Sequence, residues 1–302
     1  PVILGHESAG VVEAVGSDVK YVQRGDHVIT CLSAFCGHCE YCLTGQMSLC
    51  QEPELQRKAD ESPRLAQEGT PIAQFLNLSS FAEYMLVHEH AVAKVREDMP
   101  LDRAALIGCG VTTGVGAVIH TAAVEPGSTV AVIGCGGVGL SCINGAEIAG
   151  ASRIIAVDTI ASKLELARKF GATEVVNAAD NDPVEAVREL TGGGVHYAFE
   201  AIGLKVTTEQ AFKMIRAGGC ATVIGMIPVG TMVEIHGPEF LREKKLQGSN
   251  MGSNRFRVDM PRYVEFYLAG KLHLDDMISS HIKLEDVNDA FAQLETGEVA
   301  RN

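Results

Sequence analysis

From residue 129 onward, short apolar runs alternate with segments of helical character. The run from Thr129 to Ile133 predicts a buried parallel strand, and a helical stretch follows it to about Gly150. A second apolar run, Arg153 to Val157, completes one strand–helix–strand unit. The alternation continues to about residue 250, which predicts about six parallel strands. The fold class indicated for this part is α/β, with a doubly wound parallel sheet.

The remaining pattern separates a β-rich beginning from helical segments later in the chain. Residues 1 to about 95 alternate apolar and polar positions between glycine turns, with strands predicted within 11–19, 26–32 and 81–87. Helices are predicted at 101–107, 162–170, 183–190, 208–215, 261–268 and 284–294, and further strands at 174–177, 196–201, 221–226 and 246–250. The pattern therefore indicates two regions of different construction.

A glycine-rich turn joins the first strand of the α/β region to its helix. Gly134, Gly136 and Gly139 form G-x-G-x-x-G, and Asp158 follows the second strand. In a dinucleotide-binding turn these glycines permit the tight turn, the approach of the pyrophosphate and close helix packing. Asp158 would accept hydrogen bonds from ribose hydroxyls, and no arginine follows it to favour a 2′-phosphate. The sequence therefore predicts NAD rather than NADP.

Four cysteines in the β-rich region have the spacing of a metal site. They are Cys36, Cys39, Cys42 and Cys50, within a loop that contains two glycines. Four thiolates can close a tetrahedral zinc site that leaves no open position, which is a structural site. An iron–sulfur cluster is the alternative, but its bacterial pattern has a shorter last gap and a following proline. Disulfides are the other alternative, and a reducing cytoplasm disfavours them. The spacing therefore favours a structural zinc site.

Two further features carry weaker signals. His6 and Glu7 follow the strand-like run from Val2 to Leu4, and a histidine beside an acid is more often a solvated or core pair than a metal ligand. Cys109 lies between two glycines, which let the backbone approach a ligand, yet a cysteine in such a position is more often a buried inert thiol than a metal ligand. Neither feature predicts a site by itself.

Composition excludes several classes of function. The chain has 302 residues and a net charge of −13, so non-specific attraction to nucleic acid or anionic membranes is not expected. No apolar run approaches the roughly 20 residues of a membrane span, and no signal-peptide pattern is present. Nine cysteines in so long a chain favour a reducing cytoplasm. The chain starts at Pro1 and stops at Asn302 in what resembles the approach to a strand, so we expect a longer protein.

Together, the motifs resemble one family, the zinc-containing medium-chain alcohol dehydrogenases. The resemblance rests on Gly5-His6-Glu7, the four-cysteine spacing, Gly-Cys-Gly-Val-Thr-Thr-Gly from Gly108, the glycine turn with Asp158, and the closing Gly297 to Arg301. They occur in the family's order across nearly the whole chain. The resemblance implies a β-rich GroES-like catalytic domain, residues 1–110 completed by 251–302, and a Rossmann NAD-binding domain, residues 111–250. It also places the catalytic zinc between the two domains.

The resemblance implies a role for each site residue. His6 and Cys109 resemble ligands of a catalytic zinc, Glu7 the acid behind that metal, and the four cysteines the ligands of a structural zinc. Thr113 and Met226 resemble residues that position the nicotinamide, Asp158 and Lys163 the adenosine-ribose pair, and Arg301 the pyrophosphate arginine. The cofactor-binding turn comprises Gly134, Gly136, Gly137, Val138 and Gly139.

One departure from the family pattern affects the function. The family's first catalytic zinc ligand is a cysteine, followed by a Ser or Thr proton relay, and both would lie upstream of Pro1. The implied activity is hydride transfer between a primary or aromatic alcohol, or its aldehyde, and NAD. A glutathione-adduct formaldehyde dehydrogenase is the alternative, disfavoured because Glu54 stands where a basic residue would meet glutathione. A catalytically incomplete zinc and dinucleotide-binding protein is the third. A homodimer is expected, with a homotetramer as the alternative.

Overall fold

The computed structural model describes residues 1–51, 55, 61–295 and 301. The chain divides into two compact units. The first comprises Pro1–Thr112, Asn254–Asp275 and Lys283–Asp286, and the second comprises Thr113–Ser253, Asp276–Ile282 and Val287–Asn302. Each unit has its own sheets and its own core.

The first unit contains two small sheets. Its strands are β1 (Val2–Ile3), β2 (Ala9–Val11), β3 (His27–Thr30), β4 (Leu65–Gln67), β5 (Thr70–Gln74) and β6 (Val92–Lys94). One sheet has the order β1-β5-β4, with β1 parallel and β4 antiparallel to β5. The other has the order β2-β3-β6 and is antiparallel throughout. The β-rich character predicted for the start of the chain is therefore observed.

The second unit contains one six-stranded parallel sheet. Its strands are β7 (Thr129–Ile133), β8 (Arg153–Asp158), β9 (Glu174–Asn177), β10 (Val195–Glu200), β11 (Ile215–Val223) and β12 (Lys245–Gly248). The order is β12-β11-β10-β7-β8-β9, and every pairing is parallel. This order reverses beside β7, the first strand, and a doubly wound sheet binds its ligand at such a reversal. The predicted α/β class is confirmed.

The helices connect and cover these sheets. The α-helices are α1 (Glu40–Leu43), α2 (Leu101–Leu106), α3 (Thr112–Gly116), α4 (Gly137–Ile148), α5 (Ala161–Lys169), α6 (Pro183–Thr191), α7 (Lys205–Met214), α8 (Phe256–Leu268) and α9 (Val287–Glu295). Two π-helical segments cover Ile107–Val111 and Ala117–Thr121. Short 3-10 helices cover Met47–Leu49, Phe75–Asn77, Glu89–Ala91, Gly237–Arg242, Met251–Ser253, Asp275–Met277 and Leu284–Asp286.

The core of the second unit is made by the apolar runs that predicted its strands. Strand residues that face the same side of the sheet pack on α6 and α7 because both faces of a parallel sheet are covered. The buried cluster comprises Ala131, Ile133, Ile155, Val157, Val176, Val187, Val195, Ala198, Ala211, Phe212, Met214, Ile215 and Ala221. Asp182 is the N-cap residue of α6, and its carboxylate accepts hydrogen bonds from the backbone N–H groups of Val184 and Glu185.

Two strand predictions in the first part were wrong or too long. Residues 81–87 form no strand, and Tyr84 and Leu86 expose 79% and 56% of their surface. Because these side chains face solvent, the alternating pattern there did not reflect a buried sheet face. Within 11–19 the structure has a strand only at Val11, the end of β2, and a turn at Asp18 follows. The later elements lie within a few residues of their predicted bounds, except that β11 and α8 begin earlier.

The tail of the chain is grouped differently from the predicted domain. The prediction assigned 251–302 to the GroES-like domain, whereas Val287–Asn302 belongs to the second compact unit. Arg301 forms a parallel bridge with Ile278, and its carbonyl accepts the N–H of Ser279 at 2.7 Å. The domain boundaries as functional units stay a prediction.

One helical run in the described part of the chain meets the length and composition of a membrane span. Leu101–Thr121 has a mean hydropathy of 1.5 in its most apolar window, but 72% of that window is buried inside the protein. This run was not predicted from the sequence because glycines and threonines interrupt its apolar residues. Its burial is typical of a core helix, so it gives no support for a membrane span.

Candidate functional site

The four cysteines predicted as a structural zinc site come together in the structure. Their sulfur atoms all lie within 4.8 Å of one another. Cys42 Sγ lies 3.8 Å from Cys36 Sγ and 3.5 Å from Cys39 Sγ, and Cys39 Sγ lies 3.9 Å from Cys50 Sγ. With Zn–S bonds of about 2.3 Å, tetrahedral sulfur ligands stand about 3.8 Å apart. The cluster therefore fits a zinc ion with four protein ligands.

Local backbone geometry prepares this cluster for a cation. The N–H groups of His38 and Cys39 approach Cys36 Sγ at 3.5 and 3.3 Å, and the N–H of Cys36 approaches Cys50 Sγ at 3.4 Å. Burial would raise the pKa of Cys36, but these hydrogen bonds outweigh it and lower that pKa to about 7. Burial raises the pKa of Cys42 to about 12. A bound cation would favour the thiolate of every ligand.

A second pair of metal-ligating side chains lies in the same unit. His6 Nε2 is 3.3 Å from Cys109 Sγ, although the two residues are 103 positions apart in the chain. A histidine nitrogen and a thiolate on one tetrahedral zinc stand about 3.5 Å apart. Cys109 lies in the π-helical segment Ile107–Val111, and such segments often occur at functional sites. The pair fits the two catalytic zinc ligands that the resemblance implied.

Glu7 holds the backbone next to this pair. Its Oε1 accepts a hydrogen bond of 2.8 Å from the N–H of Gly110, the residue after Cys109. Phe75 places its ring against His6, with centroids 5.8 Å apart in an edge-to-face arrangement. An acid and an aromatic ring therefore contact the segments that carry the His6 and Cys109 side chains.

The glycine turn lies between β7 and α4, as predicted. Gly134 has φ +94°, and a Cβ there would meet the side chain of Ile202 at 2.5 Å. A Cβ on Gly139 would lie 1.7 Å from the carbonyl oxygen of Gly134. Only glycine, which has no Cβ, therefore allows the helix to approach the strand this closely. A Cβ on Gly136 would meet nothing within 4 Å, and Val138 is half-buried in the first turn. The open side at Gly136 suits a pyrophosphate.

Asp158 lies at the end of β8, beside the glycine turn. Its Oδ2 accepts the N–H of Cys135 at 2.7 Å, and its Oδ1 accepts the N–H of Ile160 at 3.0 Å. Both carboxylate oxygens are therefore fixed in direction while keeping lone pairs for further donors. Lys163 lies in the first turn of α5, two residues after its start at Ala161. The position of Asp158 at the end of β8 fits the adenosine-ribose role that the resemblance implied, and this role stays a prediction.

The remaining predicted cofactor residues also lie in the second unit. The guanidinium carbon of Arg301 is 2.6 Å from the position that a Cβ of Gly137 would take, so the cation lies against the first residue of α4. The N-terminus of α4 carries partial positive charge and repels the Arg301 guanidinium, so an anion bound between the two would be attracted by both. Thr113 is buried and donates to Met251 Sδ at 3.3 Å, whereas Met226 exposes 92% of its surface. Gly297, which opens the closing motif, and Glu54 lie outside the described residues.

Two features of the second unit were not predicted from the sequence. Met251, Gly252 and Ser253 all have positive φ, between 48° and 65°, beside Thr113. Glu200 is a fully buried acid at the end of β10. The signal for Glu200 is an acid that ends an otherwise apolar strand, the same signal that identified Asp158. No comparable pattern predicts three successive left-handed residues.

The fold and the two ligand groups define a class, a zinc-dependent oxidoreductase that uses a dinucleotide. Comparison with known families agrees with it. Residues 1–97 match the alcohol dehydrogenase GroES-like domain, and residues 137–268 match the zinc-binding dehydrogenase family. The chain therefore belongs to the zinc-containing medium-chain alcohol dehydrogenase family, as its sequence motifs implied. Zinc and a nicotinamide dinucleotide are its cofactors.

Individual relatives cover the whole of this chain. Alcohol dehydrogenase 1 from Trifolium repens is 38% identical over 100% of this chain and 81% of its own length. Alcohol dehydrogenase class-3 from Oryza sativa subsp. japonica is 40% identical over 98% of this chain and 80% of its own. The crystal structure of benzyl alcohol dehydrogenase from Acinetobacter calcoaceticus superposes with a TM-score of 0.91 at 34% identity, over 99% of this chain and 83% of that one.

Proposed function

We propose that this enzyme oxidises a primary or aromatic alcohol to its aldehyde, or catalyses the reverse reaction, with NAD as the hydride carrier. The observation that carries the proposal is the approach of His6 Nε2 to Cys109 Sγ at 3.3 Å. Each atom belongs to a motif of the family, and residues far apart in sequence converge there. The structural cluster alone would not support catalysis, because four protein ligands leave no position for a substrate.

The residues of the first unit would hold and orient a catalytic metal. A zinc ion on His6 and Cys109 would supply a Lewis acid for the alcohol oxygen. His6 offers the lone pair of Nε2, which requires the proton of the neutral ring to lie on Nδ1. Glu7 fixes the backbone after Cys109 through the N–H of Gly110, at 2.8 Å, and so orients the cysteine ligand.

The residues of the second unit would hold the cofactor. NAD would supply the carbon that accepts the hydride. The open side of Gly136, the N-terminus of α4 and Arg301 would bind its pyrophosphate, and Asp158 would accept hydrogen bonds from a ribose. Thr113 and Met226 would position the nicotinamide end.

The preference for NAD has its own test. Asp158 would repel the 2′-phosphate of NADP, so we expect wild-type kcat/KM to favour NAD clearly. Asp158→Asn keeps an amide oxygen for one of the N–H groups of Cys135 and Ile160 while removing the charge. We expect the ratio of NAD to NADP efficiency to fall at least about tenfold in that variant. Equal efficiencies of the wild type with both cofactors would refute the role of Asp158.

The substrate class is supported by the aromatic ring beside the metal ligands. Phe75 packs edge-on against His6, and an aromatic ring favours an aromatic or extended apolar alcohol. The superposable benzyl alcohol dehydrogenase is named for such a substrate. We expect a higher kcat/KM for benzyl alcohol than for ethanol, and Phe75→Ala is expected to raise KM for benzyl alcohol more than for ethanol. Equal KM increases would argue against contact with the aromatic substrate.

A glutathione adduct is the second candidate substrate. The relatives include enzymes named alcohol dehydrogenase 1 and enzymes named class-3 at nearly equal identity, so identity does not separate the two readings of specificity. Glu54, the acid expected to repel glutathione, lies outside the described residues. Turnover of S-(hydroxymethyl)glutathione at a higher kcat/KM than any simple alcohol would reverse our order of candidates.

We also propose a homodimer, with a tetramer as the alternative, and a cytoplasmic location. β12 forms one edge of the six-stranded sheet, and Val229, Met232 and Leu241 of the same unit are largely exposed, at 106%, 76% and 90%. These three side chains lie in the segment that joins β11 to β12, and exposed apolar side chains together with a sheet edge support burial against a second copy. Light scattering at micromolar concentration would distinguish monomer, dimer and tetramer. The location rests on cysteine usage, and cell fractionation would test it.

A further inference from the structure

Glu200 is a buried acid that none of the roles described above uses. It lies at the carboxyl end of β10 and is 0% exposed. Its Oε1 accepts three hydrogen bonds, from the N–H of Ile202 at 3.0 Å, the N–H of Gly203 at 2.7 Å and the hydroxyl of Thr207 at 2.7 Å. Burying an acid costs desolvation free energy, and the hydrogen bonds to Glu200 must offset it.

The main chain of Glu200 binds the neighbouring strand end. Its carbonyl oxygen accepts the N–H groups of Ile224 at 2.9 Å and Gly225 at 3.1 Å, the two residues that follow β11. Glu200 Oε2 has no hydrogen-bond partner among the described residues, and it lies 2.6 Å from the position that a Cβ of Gly225 would take. One residue therefore connects the segments that follow two adjacent parallel strands.

These two segments border the predicted cofactor residues. Ile202, whose N–H binds Glu200, lies 2.5 Å from the position that a Cβ of Gly134 would take. Gly203 packs against Met226, with a distance of 2.6 Å from its Cβ position to the carbonyl oxygen of Met226. Gly134 opens the dinucleotide turn, and Met226 is predicted to lie at the nicotinamide end. The Glu200 carboxylate is thus linked to Gly134 through Ile202 and to Met226 through Gly203.

We propose that Glu200 is a positioning residue for the nicotinamide dinucleotide. It holds the loop 201–203 and the loop 224–226 in the shape that the cofactor requires, so that NAD binds without ordering them. The proposal rests on the proposed function, because it assumes that a dinucleotide occupies this edge of the sheet. A preformed site binds more tightly because ordering its loops costs conformational entropy. Three donors to one oxygen would otherwise remain buried without an acceptor.

The experiment compares two substitutions of Glu200 in the full-length chain. Glu200→Leu removes both oxygens at similar volume, and Glu200→Gln keeps an acceptor at Oε1. NADH binding is measured by fluorescence, KM is measured separately for NAD and for benzyl alcohol, and Tm is recorded for each variant. We expect Glu200→Leu to raise Kd for NADH and KM for NAD at least about tenfold, with KM for the alcohol within about twofold. Glu200→Gln is expected to restore most of the affinity.

A matched control separates positioning from general stability. Thr129→Val breaks the hydrogen bond between Thr129 Oγ1 and His196 Nδ1, 2.8 Å long, at the opposite end of the same two strands, β7 and β10. It should lower Tm without changing Kd for NADH. If Thr129→Val weakens NADH binding as much as Glu200→Leu does, the effect is one of stability and the proposal fails.

A milder pair of variants covers the case in which Glu200→Leu does not fold. Thr207→Val removes one of the three donors to Oε1, and Thr207→Ser keeps it. We expect Thr207→Val to weaken NADH binding severalfold and Thr207→Ser to bind as the wild type does. Unchanged Kd in Thr207→Val and Glu200→Leu would overturn the role of Glu200 alone. A wild type that binds no NADH would refute the proposed function itself, and the inference with it.

Discussion

The two metal-ligating groups of the first unit are built in opposite ways. The four cysteines lie within one loop, between Cys36 and Cys50, and backbone N–H groups of the same loop bind their sulfur atoms. His6 and Cys109 are 103 positions apart, with His6 in the segment after β1 and Cys109 in the π-helical segment Ile107–Val111. The first group is thus encoded by local spacing and the second by the tertiary fold.

This difference implies that one metal-ligating group contributes mainly to folding stability and the other mainly to catalysis. A loop with four thiolates has little apolar surface to bury, so a metal ion must supply much of its order. The pair His6–Cys109 is instead supported by a packed helix and by the bond from Gly110 to Glu7. We therefore expect losses in the four-cysteine group to affect folding, and losses in the pair to affect activity.

The largest effect is expected from Cys109→Ser. A hydroxyl is a poor substitute for a thiolate ligand, so we expect kcat/KM to fall at least about 1000-fold with a small change in Tm. Steady-state kinetics, zinc content and thermal unfolding should be measured on the same preparation. Cys220→Ala, in the second unit and outside both ligand groups, is the control and should retain activity and zinc. Near-wild-type activity in Cys109→Ser would remove the basis of the comparison.

A large effect of the other kind is expected from Cys42→Ser. Loss of one of four ligands should release the structural zinc and destabilise the fold by on the order of 3 kcal/mol. Denaturant unfolding and zinc content would show this. Cys31→Ala is the control, because Cys31 is fully buried and does not belong to the group of four cysteines whose sulfur atoms come together. Equal zinc loss in both variants would contradict the assignment of the four ligands.

The same contrast explains what the sequence could predict. Cys36 to Cys50 and the glycine turn were predictable because their chemistry follows from short spacings, and the strands of the second unit because continuous apolar runs mark buried parallel strands. The contact between Glu7 and Gly110 was not, because no local pattern states which N–H a carboxylate will meet. The family resemblance supplied the role of Cys109, which spacing alone left open.

Other features escaped prediction for physical reasons that can be named. Tyr84 and Leu86 alternate with polar residues but face solvent, so periodicity alone predicted a strand that burial does not support. Glu200 acquires its importance only when the segments following β10 and β11 come together. The positive φ of Met251 and Ser253 has no residue-type signal, since glycine is the residue that ordinarily marks such a backbone.

A smaller effect is expected from changes at Glu7, which test whether the fold-encoded pair depends on its support. Glu7→Ala removes the acceptor of the Gly110 N–H, and we expect kcat/KM to fall about 10- to 100-fold. Glu7→Gln keeps the acceptor and should lose less. Kinetics at a fixed pH, together with Tm, measure both. An equal loss in the two variants would show that charge, rather than the hydrogen bond, matters.

The smallest effect is expected at an ion pair of the first unit that involves neither ligand group. Lys94 Nζ lies 2.6 Å from Asp26 Oδ1, and the N–H of Gln23 binds Oδ2 at 3.0 Å. The bond from Lys94, and then that from Gln23, holds the pKa of Asp26 below its usual value. A lowered pKa stabilises the folded state above the unfolded pKa of about 4, and this contribution disappears as pH falls through the folded value.

Asp26→Asn should therefore lower Tm slightly at neutral pH, and its difference from the wild type should shrink below about pH 4. Thermal unfolding at several pH values measures this, with Lys94→Met as the matched variant, since removing either partner should give the same trend. A difference that grows in acid would reverse the sign of the argument. A constant difference would mean that the ion pair contributes nothing specific to the pH dependence of stability.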